Sequence, residues 1–295
     1  MPNTFEVFAN VTNGHWYLSL LLFLVIIAKP AKHVLGHVYD AAIIVLASLS
    51  GPFVLFLLPI SAIYYYKHRT KRLLYILLGV ALFSFIQGIL IVSLSEQDRI
   101  QTELGASLML LIQIISGQVF TASLIGQSGY GRVYEAFLKE PNIFATIFSI
   151  VTFLIGMATL AYTSIKAQLE IKLFLLFGVF VSAASLYSPM ISRTSSQWPI
   201  MVLPGAGTRY WFLPMLAFVM SLVFLIKKQN PIYARVIGAM LFVVLLYGMK
   251  ADFHKPHFEP RDYAAHVETF EALPIGEAYK IPIYPVGWDM VLIKK

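Results

Sequence analysis

Uninterrupted apolar runs decide the class of this chain before any motif does. Residues 73–94, 143–165, 171–190, 210–226 and 233–249 are each of a length, about 17–25 residues, that crosses a hydrocarbon core as helix. Between them, polar residues gather in short connections. A 295-residue chain that is 58% hydrophobic and only 13% charged is also far from soluble-domain composition, where charge approaches a quarter. The reading is an all-α polytopic membrane protein of about 6–8 transmembrane or re-entrant helices. A small soluble α+β tail follows at the C-terminus. The domains are residues 1–249, transmembrane, and 250–295, an extracytoplasmic tail.

The formal charge of +7 does not indicate a nucleic-acid partner, because the basic residues cluster in short loops, as the positive-inside bias requires. The absence of cysteine excludes disulfides and thiol nucleophiles. The first residues lack the basic segment of a cleavable signal. Lys67, His68, Arg69, Lys71 and Arg72 mark the firmest cytoplasmic loop, with Lys29 and Lys32 on the same side. Residues 38–66 therefore begin and end on one face. At 1.5 Å per residue they would span about 43 Å as one helix, and Ser50-Gly51-Pro52 interrupts them. They are read as a helical hairpin with Ser50 as N-cap of its second helix; the alternative is one kinked, tilted span.

Counting back from Lys227, Lys228 and Arg235 places residues 191–208 outside. The acidic loop of Glu96, Asp98 and Glu103 and the glycine-rich segment 127–142 fall there too. Residues 104–126 then have both ends on the outer face and are expected to be re-entrant or interfacial, with an ordinary span as the alternative. Trp16, Trp198 and Trp211 fall at the outer interface and Tyr64, Tyr65 and Tyr66 at the inner one, where aromatic belts form. Gln87 is expected to hydrogen-bond between helices. The tail predicts a helix over 260–273 and a hairpin of 278–284 and 288–293 turning at Pro285-Val286-Gly287.

The candidate site is the proline-broken stretch 192–214. It carries Arg193, Arg209 and Tyr210, and no Asp or Glu occurs between Glu170 and Asp252. An arginine there needs an anion from elsewhere in the fold or from a ligand. A guanidinium suits a phosphate through bidentate hydrogen bonds; the alternatives are lipid headgroups or a tail carboxylate such as Glu259 or Asp262. The Ser50-Gly51-Pro52 turn is a second candidate, because a helix starting inside the membrane exposes unpaired N–H groups. His254, His257, Glu259, Asp262 and His266 have partial metal-ligand spacing, but Pro256 breaks it and surface histidines are the plainer reading, so no metal or other cofactor is assigned. Gly126, Gly129 and Gly131 lack the flanking strand and Lys of a phosphate loop and read as a flexible loop. Asn10-Val11-Thr12 is a formal glycosylation sequon.

Four phrases carry a family resemblance: Asn10-Val11-Thr12-Asn13-Gly14-His15-Trp16, Ser50-Gly51-Pro52-Phe53 with Leu57-Leu58-Pro59, Arg209-Tyr210-Trp211-Phe212-Leu213-Pro214, and Ile281-Pro282-Ile283-Tyr284-Pro285-Val286-Gly287-Trp288. Together they resemble the later part of bacterial membrane proteins related to GT-C-fold glycosyltransferases, which use polyprenyl-phosphate-linked sugars. The resemblance implies an inner-membrane, cell-envelope protein. It places Arg209 and Tyr210 at the carrier phosphate and Asn10 to Trp16 beside the sugar. Those enzymes carry a catalytic acid on a large first external loop, whereas the first fifteen residues here hold one carboxylate, Glu6. The expectation is therefore a glycosyltransferase-like protein that is catalytically incomplete in this chain: either the C-terminal part of a split or truncated enzyme, with a partner chain carrying the missing N-terminal part, or a partner or inactive relative of such an enzyme. The alternatives are a lipid-carrier flippase or transporter, or a non-catalytic membrane assembly subunit.

Overall fold

The structure, a computed structural model, describes residues 6–7, 11–94, 102–140, 142–192, 194–253, 261–283 and 288–295. The chain divides into two compact units, Met1–His254 and Lys255–Lys295.

Among its described residues the first unit has helices and no strand. After a single 3-10 turn, Val11–Asn13, come α1 (Gly14–Ile27), α2 (Val34–Leu49), α3 (Phe53–His68) and α4 (Lys71–Leu94). Next is a broken helix: α5 (Leu108–Ile114), a π-helical stretch (Ile115–Thr121), α6 (Ala122–Val133) and a second π-helical turn (Tyr134–Leu138). The unit ends with α7 (Ile143–Lys166), α8 (Leu169–Tyr187), the short α9 (Gln197–Met201), α10 (Thr208–Ile226) and α11 (Ile232–Phe253). Six described helices are long and apolar enough to cross a membrane, so the chain is a multi-pass membrane protein. Between the ends of α4 the exposed residues Tyr75, Leu78, Leu82, Phe85, Ile89, Leu90 and Val92 are all apolar or aromatic, while Ser84 and Gln87 are buried. A soluble helix places such residues the other way round.

α10 is the central helix. Of its span, 61% is buried, against 22% for α4, α7 and α11. Phe212, Leu213 and Ala217 join one apolar cluster with α1–α4 and α8. Trp211, Met215, Phe218 and Leu222 join a second with α5, the π-helical stretch, α9 and α11.

Residues 34–68 form the expected hairpin. Arg72 bonds Asp40 Oδ2 through Nη2 at 2.8 Å, Ala28 O at 3.0 Å and Val25 O at 2.9 Å, tying the C-terminus of α1 to the starts of α2 and α4. Tyr64, near the C-terminus of α3, reaches Ile27 O. The turn between α2 and α3 lies at the other end of α1, where Gly51 abuts the His15 side chain. Gln87 Nε2 donates to Ser48 O at 3.0 Å there, the interhelical bond expected of it. Ser50, however, is not the N-cap of α3. It ends α2, and its hydroxyl donates back to Leu46 O, while Pro52 precedes α3 without a side-chain cap. A serine hydroxyl satisfies the carbonyl four residues back readily, and here that local bond wins.

The segment 108–138 returns to the strip of chain from which it starts. Trp198 N donates to Leu104 O at 2.9 Å, Gln118 Nε2 donates to Met201 O and Leu203 O, and the Tyr130 hydroxyl donates to Val202 O at 2.8 Å. Leu104, Gln118 and Tyr130 thus meet one strip, residues 198–203, and the segment 108–138 is also one of the six helices long and apolar enough to cross a membrane. The glycine-rich part is helix rather than loop. Gly126 takes φ +76°, and the helix restarts under Asp252, whose carboxylate accepts from Gln127 N at 2.8 Å and Ser128 N at 3.2 Å. A carboxylate borrowed from α11 supplies the cap that the local sequence lacks.

In the second unit, α12 (Tyr263–Ala272) is capped by Asp262, which accepts from Ala265 N. β1 (Ala278–Ile283) pairs antiparallel with β2 (Trp288–Ile293), Ala278 opposite Ile293 and Ile283 opposite Trp288. The expected turn residues Pro285, Val286 and Gly287 lie outside the described residues.

Candidate functional site at the N-terminus of α10

Gly207, at φ +59°, leads the chain into α10, and the first N–H groups of that helix have no partner within it. One of them, Arg209 N, donates to Glu6 Oε2 at 2.9 Å. The Arg209 guanidinium closes on the same carboxylate, Nη1 to Oε1 at 3.6 Å, with side chains 30% and 22% exposed. Glu6 therefore sits where a helix dipole and a cation both favour an anion. The Asn13 amide donates to Glu6 O at 2.7 Å, which anchors this segment to the start of α1.

The remaining donors of Arg209 are also directed. Nη2 donates to Met190 O at 3.0 Å and to the Tyr210 hydroxyl at 3.3 Å, and that hydroxyl accepts from Met190 N at 3.1 Å. The guanidinium lies 4.8 Å from the Tyr210 ring centre, at cation–π distance. Behind it stands an aromatic wall. Trp16 meets Tyr210 edge-on at 6.3 Å and Phe53 at 4.5 Å, and His15 stacks on Phe53 at 5.6 Å. Trp16 Nε1 is buried and, among the described residues, finds no hydrogen-bond partner. A buried donor of this kind is uncommon.

Of the sequence candidates, Arg209, Tyr210, Trp16 and Gly51 converge here, the last through His15. Ser50 belongs to the same turn, with its hydroxyl held by Leu46. Arg193 and Asn10 lie outside the described residues, as do His254, His257 and Glu259. Asp262 and His266 are engaged within their own unit, Asp262 as the α12 cap and His266 at 3.0 Å from the Tyr279 hydroxyl. One expectation needs correction: Trp16 and Trp211 are buried, packing against aromatic and aliphatic neighbours rather than forming a lipid-facing belt. The anion beside Arg209 is Glu6, an anion from elsewhere in the fold. The sequence did not point to Glu6, Phe53 or Met190 as site residues, and it took in His15 only within the stretch Asn10 to Trp16; the isolation of Glu6 as the one carboxylate before Asp40 was the available signal. No family model, no curated protein and no solved structure matches this chain.

Proposed function

We propose that the chain is a glycosyltransferase-like integral membrane protein that binds a polyprenyl-phosphate-linked sugar at the Arg209 end of its helices. Assigned by the basic-residue bias, this end is the outer face of the inner membrane. The observation that carries the reading is the anion position at the start of α10, where a backbone N–H and a guanidinium converge on one carboxylate. A phosphate suits the same donors. The wall of His15, Trp16, Phe53 and Tyr210 supports a sugar or prenyl neighbour, and the Trp16 N–H, which has no partner among the described residues, supplies a donor for a hydroxyl. Glu6 is held by Arg209 and Asn13, so it serves here as the anion that a phosphate displaces, and transfer requires an acid from a partner chain.

A second reading, a non-catalytic assembly subunit, is favoured by the full engagement of Arg209 with Glu6, Met190 and Tyr210. A photo-crosslinkable polyprenyl phosphate separates the two. Ligand binding requires wild type to be labelled, Arg209→Ala to lose labelling, and Glu6→Gln to be labelled more strongly because the competing anion is gone. Equal labelling of wild type and Arg209→Ala overturns the lipid-phosphate site and leaves the ion pair as a structural tie.

A further inference from the structure

A groove of about 600 Å³ runs between α2 and α4, at the opposite end of α1 from Arg209. Its volume lies within the range of about 300–1,000 Å³ usual for small-ligand sites. Ile44, Ile76, Gly79 and Phe83 line its apolar body, and His37, Asp40 and Arg72 line its mouth. Gly79 makes the width: a Cβ there would already touch Ile44 Cγ2 at 3.5 Å. The groove borders the outward stripe of α4, and Tyr75, 70% exposed, belongs to both. Its surroundings at that level are therefore hydrocarbon, which selects a lipid chain as occupant.

Charge selects the headgroup. Asp40 is the one carboxylate between Glu6 and Glu96, and it is neutralised by Arg72 at 2.8 Å. Lys71, next to Arg72 in the chain, and Lys29, next to the Ala28 whose carbonyl Arg72 bonds, are left in excess. Basic pockets between membrane helices of this kind retain anionic lipid headgroups. We propose that the groove is a binding site for an anionic phospholipid, one acyl chain lying along Ile76, Gly79 and Phe83 and the phosphate resting above the mouth, within reach of Lys29 and Lys71. The site is independent of the proposed carrier-lipid site at Arg209.

Native mass spectrometry of the purified full chain, titrated with phosphatidylglycerol or phosphatidylcholine, tests this. Wild type is expected to retain phosphatidylglycerol at a concentration about tenfold lower than phosphatidylcholine. Gly79→Leu, which fills the groove, is expected to lose that preference. Gly88→Leu, on the same helix where a Cβ meets nothing within 4 Å, is expected to keep it. Equal retention of the two lipids by wild type, or an undiminished preference in Gly79→Leu, overturns the proposal. Should Gly79→Leu fail to accumulate, Tyr75→Trp reports on the same groove. Its added emission is expected to be quenched by chain-brominated phosphatidylglycerol at lower mole fraction than by the brominated phosphatidylcholine, and equal quenching overturns the site.

Discussion

The Glu6 carboxylate touches α10 twice, at the Arg209 backbone N–H and at its guanidinium, and the two contacts separate by mutation. Glu6→Gln keeps an acceptor for the N–H and loses the ion pair, which at partly exposed positions is worth about 1 kcal/mol or less. Glu6→Ala also uncaps the helix, adding a loss of about 1 kcal/mol. Thermal unfolding in detergent is expected to rank wild type above Glu6→Gln above Glu6→Ala; three equal midpoints would show that the contact holds nothing. Asp252 carries a heavier role. It is 8% exposed and caps Gln127 and Ser128, so Asp252→Ala strands two N–H groups at a cost of about 2–3 kcal/mol, and Asp252→Asn less. Gly126→Ala meets the same carboxylate, since its Cβ would lie 2.5 Å from Oδ1 at φ +76°. It is expected to lower the melting temperature in the same assay, and an unchanged value would contradict the kink.

Between elements, α7 approaches the π-helical stretch closely. Gly156 lies flat against the Phe120 ring, which also packs on Phe218 at 4.9 Å. Any side chain at Gly156 must displace that ring. Gly156→Val is expected to destabilise by about 1–3 kcal/mol, with Phe120→Leu restoring part of it by making room. If the two losses simply add, the two residues are not in contact. The π-helical turn itself was not legible in the sequence. Ser116, Gln118 and Thr121 mark the segment as polar, but only the bond from Thr121 to Ser116 O and the reach of Gln118 to Met201 O show how the wider helix is held. By contrast, Gln87 could be read directly, because a lone amide in an apolar span has few partners other than a neighbouring helix.

Across the whole molecule, the helix ends sort into two sets. Within the first unit, Lys29 and Lys67 lie at the Arg72 end, the Tyr64–Glu170 and Tyr162–Asn230 bonds bring the ends of α7, α8 and α10 at Lys166 and Lys228 to it, and Ser195 lies in the connection preceding α10 at the Arg209 end. A chain without cysteine makes this measurable. Single cysteines placed at His33, Lys67 and Lys228 are expected to react with a membrane-impermeant maleimide only after the cytoplasmic face is opened, and one at Ser195 without opening. Labelling at Lys67 and Ser195 from the same side would break the hairpin and the orientation together.

The amino-acid sequence by itself determined the class, the long apolar helices and the turn at Ser50-Gly51-Pro52, because apolar length, helix-breaking residues and clustered charge are local quantities. It also singled out Arg209 as a cation lacking an anion, without supplying one. Only the tertiary structure decided that the anion is Glu6, 203 positions away, that Asp252 restarts the helix at Gly126, and that Trp16 and Trp211 are buried rather than lipid-facing. Each depends on a pairing across the bundle. In a low-dielectric interior a charged or polar group takes whichever partner the packing brings within reach, and sequence distance carries no information about which one that is.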